Sequence, residues 1–596
     1  MSECLRFLTD HVKDIDKEGL VCGSATCCRF CCAKLSKATC WLLRLPACHS
    51  WRDQLCVGRG AARGCACQRE LLRFELMACC GSRTSPTPLE LYAQSLPHEA
   101  EAPPMLFPMY TVTANVLLQM TSVEPHEKLK ARGELCIFSH SMGKAAFVSH
   151  QWVSAYHPDP DFKQMKVLQD VVKRLLSSDG SISVDITTET LVRTAKPLRM
   201  QEFQAQALFF WYDYFSCPQL ERRHGFGADD EDSSKQADAI NSIPAYVTNC
   251  HFFLALCPVI DCFEENKVLS PLTWSRRGWC RVERIGRELS RESTWVLIQS
   301  STFMEVVGTL NSFPAGMVGE GNFTVREDKQ KLGPVMRQMI VQKLQQSLRS
   351  GDLPGFRRYF NLNGVYLREL QVEPVGGFLP SCESRAGNVV AEFLHQNGFR
   401  RIGEVDSAGW RPLHYAALGG NAEVLQGMLE QRANVNWRTS KDVPAMGSPP
   451  WMSALDIASG AKHYQAARLL IEARAHLEGG LLPSLMVATF PNDAEIIRLL
   501  CDAGSNPLHR NLIGNTAYLA AAGHWVQGVL HASIVEVLPH CNSWTIFLVC
   551  IHICIYIYIY IYIYICYPPP PPPPPPMDLP ISFVFIHEFR GLSHMV

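Results

Sequence analysis

What this chain lacks narrows its function before any motif is read. Its 596 residues carry 56 Lys and Arg against 57 Asp and Glu, a formal net charge of −1. No electrostatic surplus is left to attract nucleic acid or an anionic membrane surface. The chain contains no phosphate-cradling Gly-rich loop, no nucleophile elbow and no His-Glu-x-x-His stretch, so nothing carries P-loop, serine-hydrolase or zinc-protease chemistry. No positively charged segment followed by an apolar run opens it, so its 25 cysteines are read as thiols of a reducing, cytoplasmic compartment.

Thirteen of those cysteines lie in the first 80 residues. Cys28-x-x-Cys31 has a zinc-ligand spacing, but no second Cys-x-x-Cys or His-x-His pair stands at finger distance, and no metal is expected. Residues 20–85 show no sustained apolar period, and 1–135 read as a Cys-rich, weakly ordered leader. The other end is equally irregular. From Cys541 to Met577 there is no Asp, Glu, Lys or Arg, Ile and Tyr alternate from Ile555 to Ile565, and Pro568 to Pro576 follow. Trp544 to Tyr567 is long enough for a membrane anchor. Its period of two suits an aggregating strand better. A translated AT-repeat and C-rich tract also give this sequence, and that reading is preferred to the anchor. Residues 531–596 are assigned to this low-complexity tail.

Between the two ends lies a repeat. Pro412 fits a first helical turn, Leu413, Ala416 and Ala417 let a second helix approach, and Gly419-Gly420 ends the segment. Val424, Leu425, Met428 and Leu429 then line another helix. Such a helical hairpin cannot bury its apolar face alone. Leu413, Leu455, Leu485 and Ala517 open four copies at spacings of 42, 30 and 32 residues, the first stretched by an insertion around Asp442 to Pro450. The segment Arg411-Pro-Leu-His-Tyr-Ala resembles the Thr-Pro-Leu-His-x-Ala signature of ankyrin repeats, with Arg411 in place of Thr. The resemblance implies an all-α solenoid over 401–530 that binds a protein partner. Asn436, Trp437 and Arg438, with the 442–450 insertion, are the contact candidates.

Upstream, short apolar runs alternate with helical stripes, the pattern of an α/β domain with a parallel sheet, placed at 136–300. Strands are predicted at 145–149, 207–215, 251–257 and 295–299. Leu168, Val171, Val172, Leu175 and Leu176 form a helix face, with Asp161 as its cap. Trp279, Val282, Gly286 and Leu289 share a second face, which leaves Glu283 at its rim. A carboxylate there is partly desolvated and looks toward the carboxyl ends of the strands, where open α/β sheets bind ligands. His150, His157, Asp159 and Asp161 are spaced through prolines and need not converge on a metal.

The order of these pieces, ending in Trp279-Cys280-x-x-Glu283, resembles the Toll/interleukin-receptor (TIR) domain, a flavodoxin-like parallel sheet. The resemblance implies a signalling or self-association domain, in which Glu283 is merely solvated, or alternatively an NAD glycohydrolase in which Glu283 is catalytic, Ser149, His150, Gln151, Trp152 and Trp279 line the pocket, and NAD is substrate rather than bound cofactor. The resemblance also implies self-association through a loop at about 216–234. Residues 301–400 read as a helical connector with a docking stripe (Met336, Met339, Ile340, Leu344, Leu348) and a capping helix around Val389 to Leu394. The expected whole is an α/β, TIR-like domain followed by an ankyrin solenoid, with disordered or irregular termini, reaching a membrane only through 544–567.

Overall fold

A computed structural model describes residues 85–520, apart from 98–103, 155, 220–229, 263–266, 292, 313–315, 382–387, 492, 513, 518 and 519. The Cys-rich leader to residue 84, the Ile-Tyr and poly-Pro tail, the centre of the 216–234 loop and most of the fourth repeat lie outside the described residues.

Seven strands form one sheet: β1 (Tyr110–Thr113), β2 (Cys136–Ile137), β3 (Lys144–His150), β4 (Leu208–Tyr212), β5 (Phe252–Leu256), β6 (Trp295–Ile298) and β7 (Met304–Val307). Their order is β7-β6-β5-β3-β4-β1-β2. The inner strands β6, β5, β3 and β4 are parallel, with β3 pairing Val148 to Tyr212 on one side and to Leu254 on the other. Counted along the chain, these four strands lie in the order 2-1-3-4. The direction of winding therefore reverses beside β3, and a crevice opens at the carboxyl ends there. Strands β4 and β5 are buried at every position, as expected of parallel strands covered on both faces.

The edges depart from the expected all-parallel sheet. β1 runs antiparallel to β4 and β7 antiparallel to β6, so the sheet begins before residue 136 and ends after residue 300. Strands β1 and β7 are four residues long, and β1 lies inside a largely apolar stretch from Met105 to Met120 that hides its period. On one face lies α1 (Lys163–Ser177), burying Met165, Leu168, Val171, Val172 and Leu175. Its cap is not Asp161, which is exposed and paired with Lys163. Asp159, 1% exposed, accepts instead from the backbone of Lys163 at 2.9 Å and Met165 at 2.8 Å. Phe162 holds the left-handed conformation that lets the chain turn in between.

The other face carries α2 (Asp230–Asn241), α3 (Ile243–Asn249) and α4 (Gly278–Leu289). Gly286 of α4 lets the connector helix α5 (Arg326–Arg349) approach closely: a Cβ there would stand 3.1 Å from the Met339 side chain. The docking stripe of α5 is buried as expected, with Met336, Ile340 and Leu344 fully covered. The cap of the solenoid is a helix pair rather than one helix. α6 (Leu353–Tyr366) packs on α8 (Pro412–Leu418), and α7 (Val389–Gln396) packs on α9 (Ala422–Glu430). α10 (Ala454–Gly460) with α11 (Tyr464–Glu472), then α12 (Ser484–Thr489) with α13 (Ala494–Asp502), continue the stack. One core runs without a break from Val282 and Ile285 of α4 through α5 and α6 into the repeats.

Candidate functional site

The crevice beside β3 is a cleft of about 470 Å³, walled by Trp152, Asp213, Cys217, Ile240, Pro244, Trp279 and Glu283, and closed on one side by Asp328, Lys331, Leu332 and Val335 of α5. Glu283 sits one turn into α4 and is half-buried. Its Oε2 accepts the Ser149 hydroxyl at 2.5 Å, and Ser149 Oγ in turn accepts the Trp274 indole N–H at 3.0 Å. Burial pushes the Glu283 carboxyl up to about 8; the Ser149 hydrogen bond opposes that shift, and the charge of Asp213 reinforces it.

Asp213 is in the opposite state. It follows β4 directly, and its Oδ1 lies 2.7 Å from His150 Nε2 while its Oδ2 accepts from Trp152 Nε1 at 2.8 Å. Burial alone would raise this carboxyl, but the charge and hydrogen bond of His150, with the Trp152 indole, hold it below its usual range. His150 is itself raised: burial acts against its charged form, but the charge and hydrogen bond of Asp213, with Glu283 and the Gln151 carbonyl, together outweigh it. It stacks on Tyr212 with ring centroids 3.9 Å apart.

Of the pocket residues expected from sequence, Trp152, Trp279 and Glu283 share the cleft wall. Ser149 and His150 are buried behind it and hydrogen-bond Glu283 and Asp213, while Gln151 donates to the Ser270 carbonyl at 3.1 Å. The Trp279 indole donates to Asp328 Oδ2 at 3.2 Å, tying α4 to α5. Sequence reasoning missed Asp328 and Lys331, which carry no motif, and did not place Asp213 in the site. The Trp211-Tyr212-Asp213 run at a strand end was the available signal. His157 meets the Val123 carbonyl at 3.0 Å rather than His150, and among the described residues no group of His, Cys, Asp or Glu is arranged to hold a metal ion. Among the same residues no helix is long and apolar enough to cross a membrane.

In the stack, Arg411 precedes α8, His414 Nε2 meets the Trp437 carbonyl at 3.0 Å, and Gly420 turns the chain at φ +68° into α9. Burial drives the His414 imidazole down to about 4. The three residues expected to touch a partner also serve the stack itself. Asn436 accepts from the His476 backbone at 2.8 Å, Trp437 lies 5.0 Å from the Arg411 guanidinium, and Arg438 reaches the Trp451 carbonyl at 2.8 Å and Asp456 at 3.4 Å. The 442–450 insertion folds inward instead of projecting. Met446 is 3% exposed with its carbonyl on Arg358 at 2.9 Å, and Asp442 accepts from the Arg193 backbone at 2.9 Å, because α6 offers an apolar wall on that side.

A family model for the ankyrin repeat matches residues 408–440. Those residues are an ankyrin repeat. A stretch of 86 residues is also 37% identical to the Ankyrin repeat protein nuc-2 of Neurospora crassa, covering 14% of this chain and 8% of that protein. The chain thus matches less than a tenth of the length of this curated relative. The ankyrin match lies wholly outside the α/β layer. Within the ankyrin stack, Trp451 is 47% exposed at φ +67°, and its carbonyl accepts from Arg438.

Proposed function

We propose that the protein binds a protein partner through its ankyrin stack, and that its α/β layer is a TIR-like domain that cleaves the bond between ribose and nicotinamide in NAD. The binding half follows from what stacked repeats do: they present an extended surface to other chains. The observation that carries the enzymatic half is the half-buried carboxyl of Glu283 on the wall of a cleft that also holds Trp152 and Trp279. Burial raises that carboxyl to about 8, and carboxyls perturbed in this way within clefts gather at functional sites. The strand order 2-1-3-4 and the start of α4 at Trp279-Cys280-x-x-Glu283 support the same reading.

In this reaction the bond from C1′ of the ribose to the nicotinamide nitrogen breaks, and its electron pair leaves with the nitrogen. A water oxygen then bonds to C1′ and gives up a proton to solvent. Ionised Glu283 engages the ribose hydroxyls and steadies the positive charge that develops at C1′. Trp152 and Trp279 offer flat apolar faces to the departing ring. Self-association through the 216–234 loop belongs to the same reading, and sedimentation of the purified protein over a range of concentration tests it. The membrane-anchor reading rests on residues 544–567, which lie outside the described residues. Nicotinamide release from NAD by the full-length protein, compared with Glu283→Gln, tests the enzymatic half; equal release by both proteins removes Glu283 from the mechanism.

A further inference from the structure

Of the carboxyl groups that line the cleft, Asp213 and Glu283 have unlike surroundings. Both oxygens of Asp213 are occupied by donors, His150 Nε2 at 2.7 Å and Trp152 Nε1 at 2.8 Å, yet 33% of the side chain stays exposed and lines the cleft. His150 Nδ1 lies 3.2 Å from the Gln151 carbonyl, so both ring nitrogens face acceptors. A neutral imidazole donates from one nitrogen only, and this arrangement calls for the imidazolium. The imidazolium is buried behind Asp213, with 2% of its side chain exposed, so a molecule in the cleft meets the negative end of the pair. Two indole rings, Trp152 and Trp279, stand on the same wall.

We propose that Asp213 and the two tryptophans make this cleft selective for a cationic heteroaromatic ring, with Asp213 setting the preference for charge. The proposal deepens the hydrolase reading and rests on it for the identity of the natural ligand. A carboxylate with indole faces is a recognition element for a ring that carries positive charge. An uncharged ring of the same shape gains only the stacking. Glu283 does not supply the anion at neutral pH, because burial keeps its proton on up to about 8. The other groups around Asp213 are accounted for. His150 and Cys217 flank it, Glu283 faces it from α4, and across the cleft Asp328 is engaged by Trp279 at 3.2 Å and Lys331 at 3.7 Å.

The experiment uses the full-length protein and two probes, the 1-methylnicotinamide cation and neutral nicotinamide, with binding followed by tryptophan fluorescence. The expected result is that the cation binds at least about tenfold more tightly, and that Asp213→Asn, with a melting temperature near that of the parent, binds both rings equally. A pH series on the unaltered protein serves if the variant fails to fold. The preference should already be present at pH 6 and change little up to pH 7.5. Equal binding of the two rings, no binding of either, a preference that survives Asp213→Asn, or one that emerges only as the pH approaches 8 overturns the proposal. A protein that selects the cation but releases no nicotinamide from NAD keeps this inference and loses the hydrolase reading.

Discussion

Ser149, near the end of β3, donates its hydroxyl to Glu283 of α4 across 2.5 Å while its oxygen accepts the Trp274 indole N–H at 3.0 Å. One hydroxyl thus links a buried core tryptophan to the carboxyl on which the proposed chemistry depends.

Removing that bond should move the working pH. The Ser149 hydroxyl favours the ionised form of Glu283, so Ser149→Ala raises the carboxyl further above 8. If ionised Glu283 is the active form, kcat/KM rises with pH and levels off above that value in the parent protein. In the variant the rise should shift by about one pH unit to the alkaline side, as the loss of one charge-assisted hydrogen bond implies. A kcat/KM profile from pH 6 to 10 on both proteins checks it.

Glu283 also makes stability depend on pH in a defined direction. Its folded value, about 8, lies above the ordinary 4.5, so between those values the native state keeps a proton that the unfolded chain has lost. Stability then falls as pH rises through that window. Glu283→Gln lacks this term, and its advantage over the parent should grow from near zero at pH 4.5 to about 1–2 kcal/mol at pH 8, allowing for the part of the side chain that meets solvent. Denaturant melts at both pH values measure the gap.

The stack should respond in the opposite sense. Burial lowers His414 and His463 from 6.5 to about 4, against the hydrogen bonds they make to the Trp437 and Leu418 carbonyls. Between pH 6.5 and 4 the unfolded chain takes up protons that the folded stack refuses, so stability drops as the solution is acidified. Each histidine should contribute about 1–3 kcal/mol to that drop. His463→Gln should flatten it, read from urea melts at pH 6.5, 5 and 4.

A fragment cut at residues 136–300 should not fold. It omits β1 and β7, leaving β4 and β6 as bare edges, and it omits α5, which covers Gly286 and Val282 of α4. Soluble yield and near-ultraviolet dichroism of the fragment against the full-length protein decide the point; a soluble fragment with native dichroism would show that the edges and connector are dispensable.

Much of this layout was legible in the sequence. The buried strands around Phe210 and Leu254 are apolar throughout, that around Phe147 is apolar from Ala145 to Val148, and the repeats announce themselves by Pro412, Ala416 and Gly420. Glu283 could be placed at the rim of a cleft because helical spacing alone sets it one turn beyond Trp279. What escaped depends on contacts between distant segments. Asp159 replaces Asp161 as the cap because Phe162 turns left-handed, a choice that backbone geometry makes and composition does not reveal. The insertion turns inward because α6 provides Arg358 to hold the Met446 carbonyl, 88 residues away. Asp213 enters the site only when His150 and Trp152, both more than 60 residues earlier, close on it from the neighbouring strand.

The most direct measurement is chromatographic quantitation of nicotinamide released from NAD by the concentrated full-length protein at pH 8, beside Glu283→Gln. Release by the parent that falls by about a hundredfold or more in the variant, in line with loss of a group that stabilises transition-state charge, is the expected result. A folded parent protein that releases no nicotinamide, or a Glu283→Gln protein that releases it as fast, contradicts an NAD-cleaving site at Glu283 and leaves the ankyrin stack as the functional part of the chain.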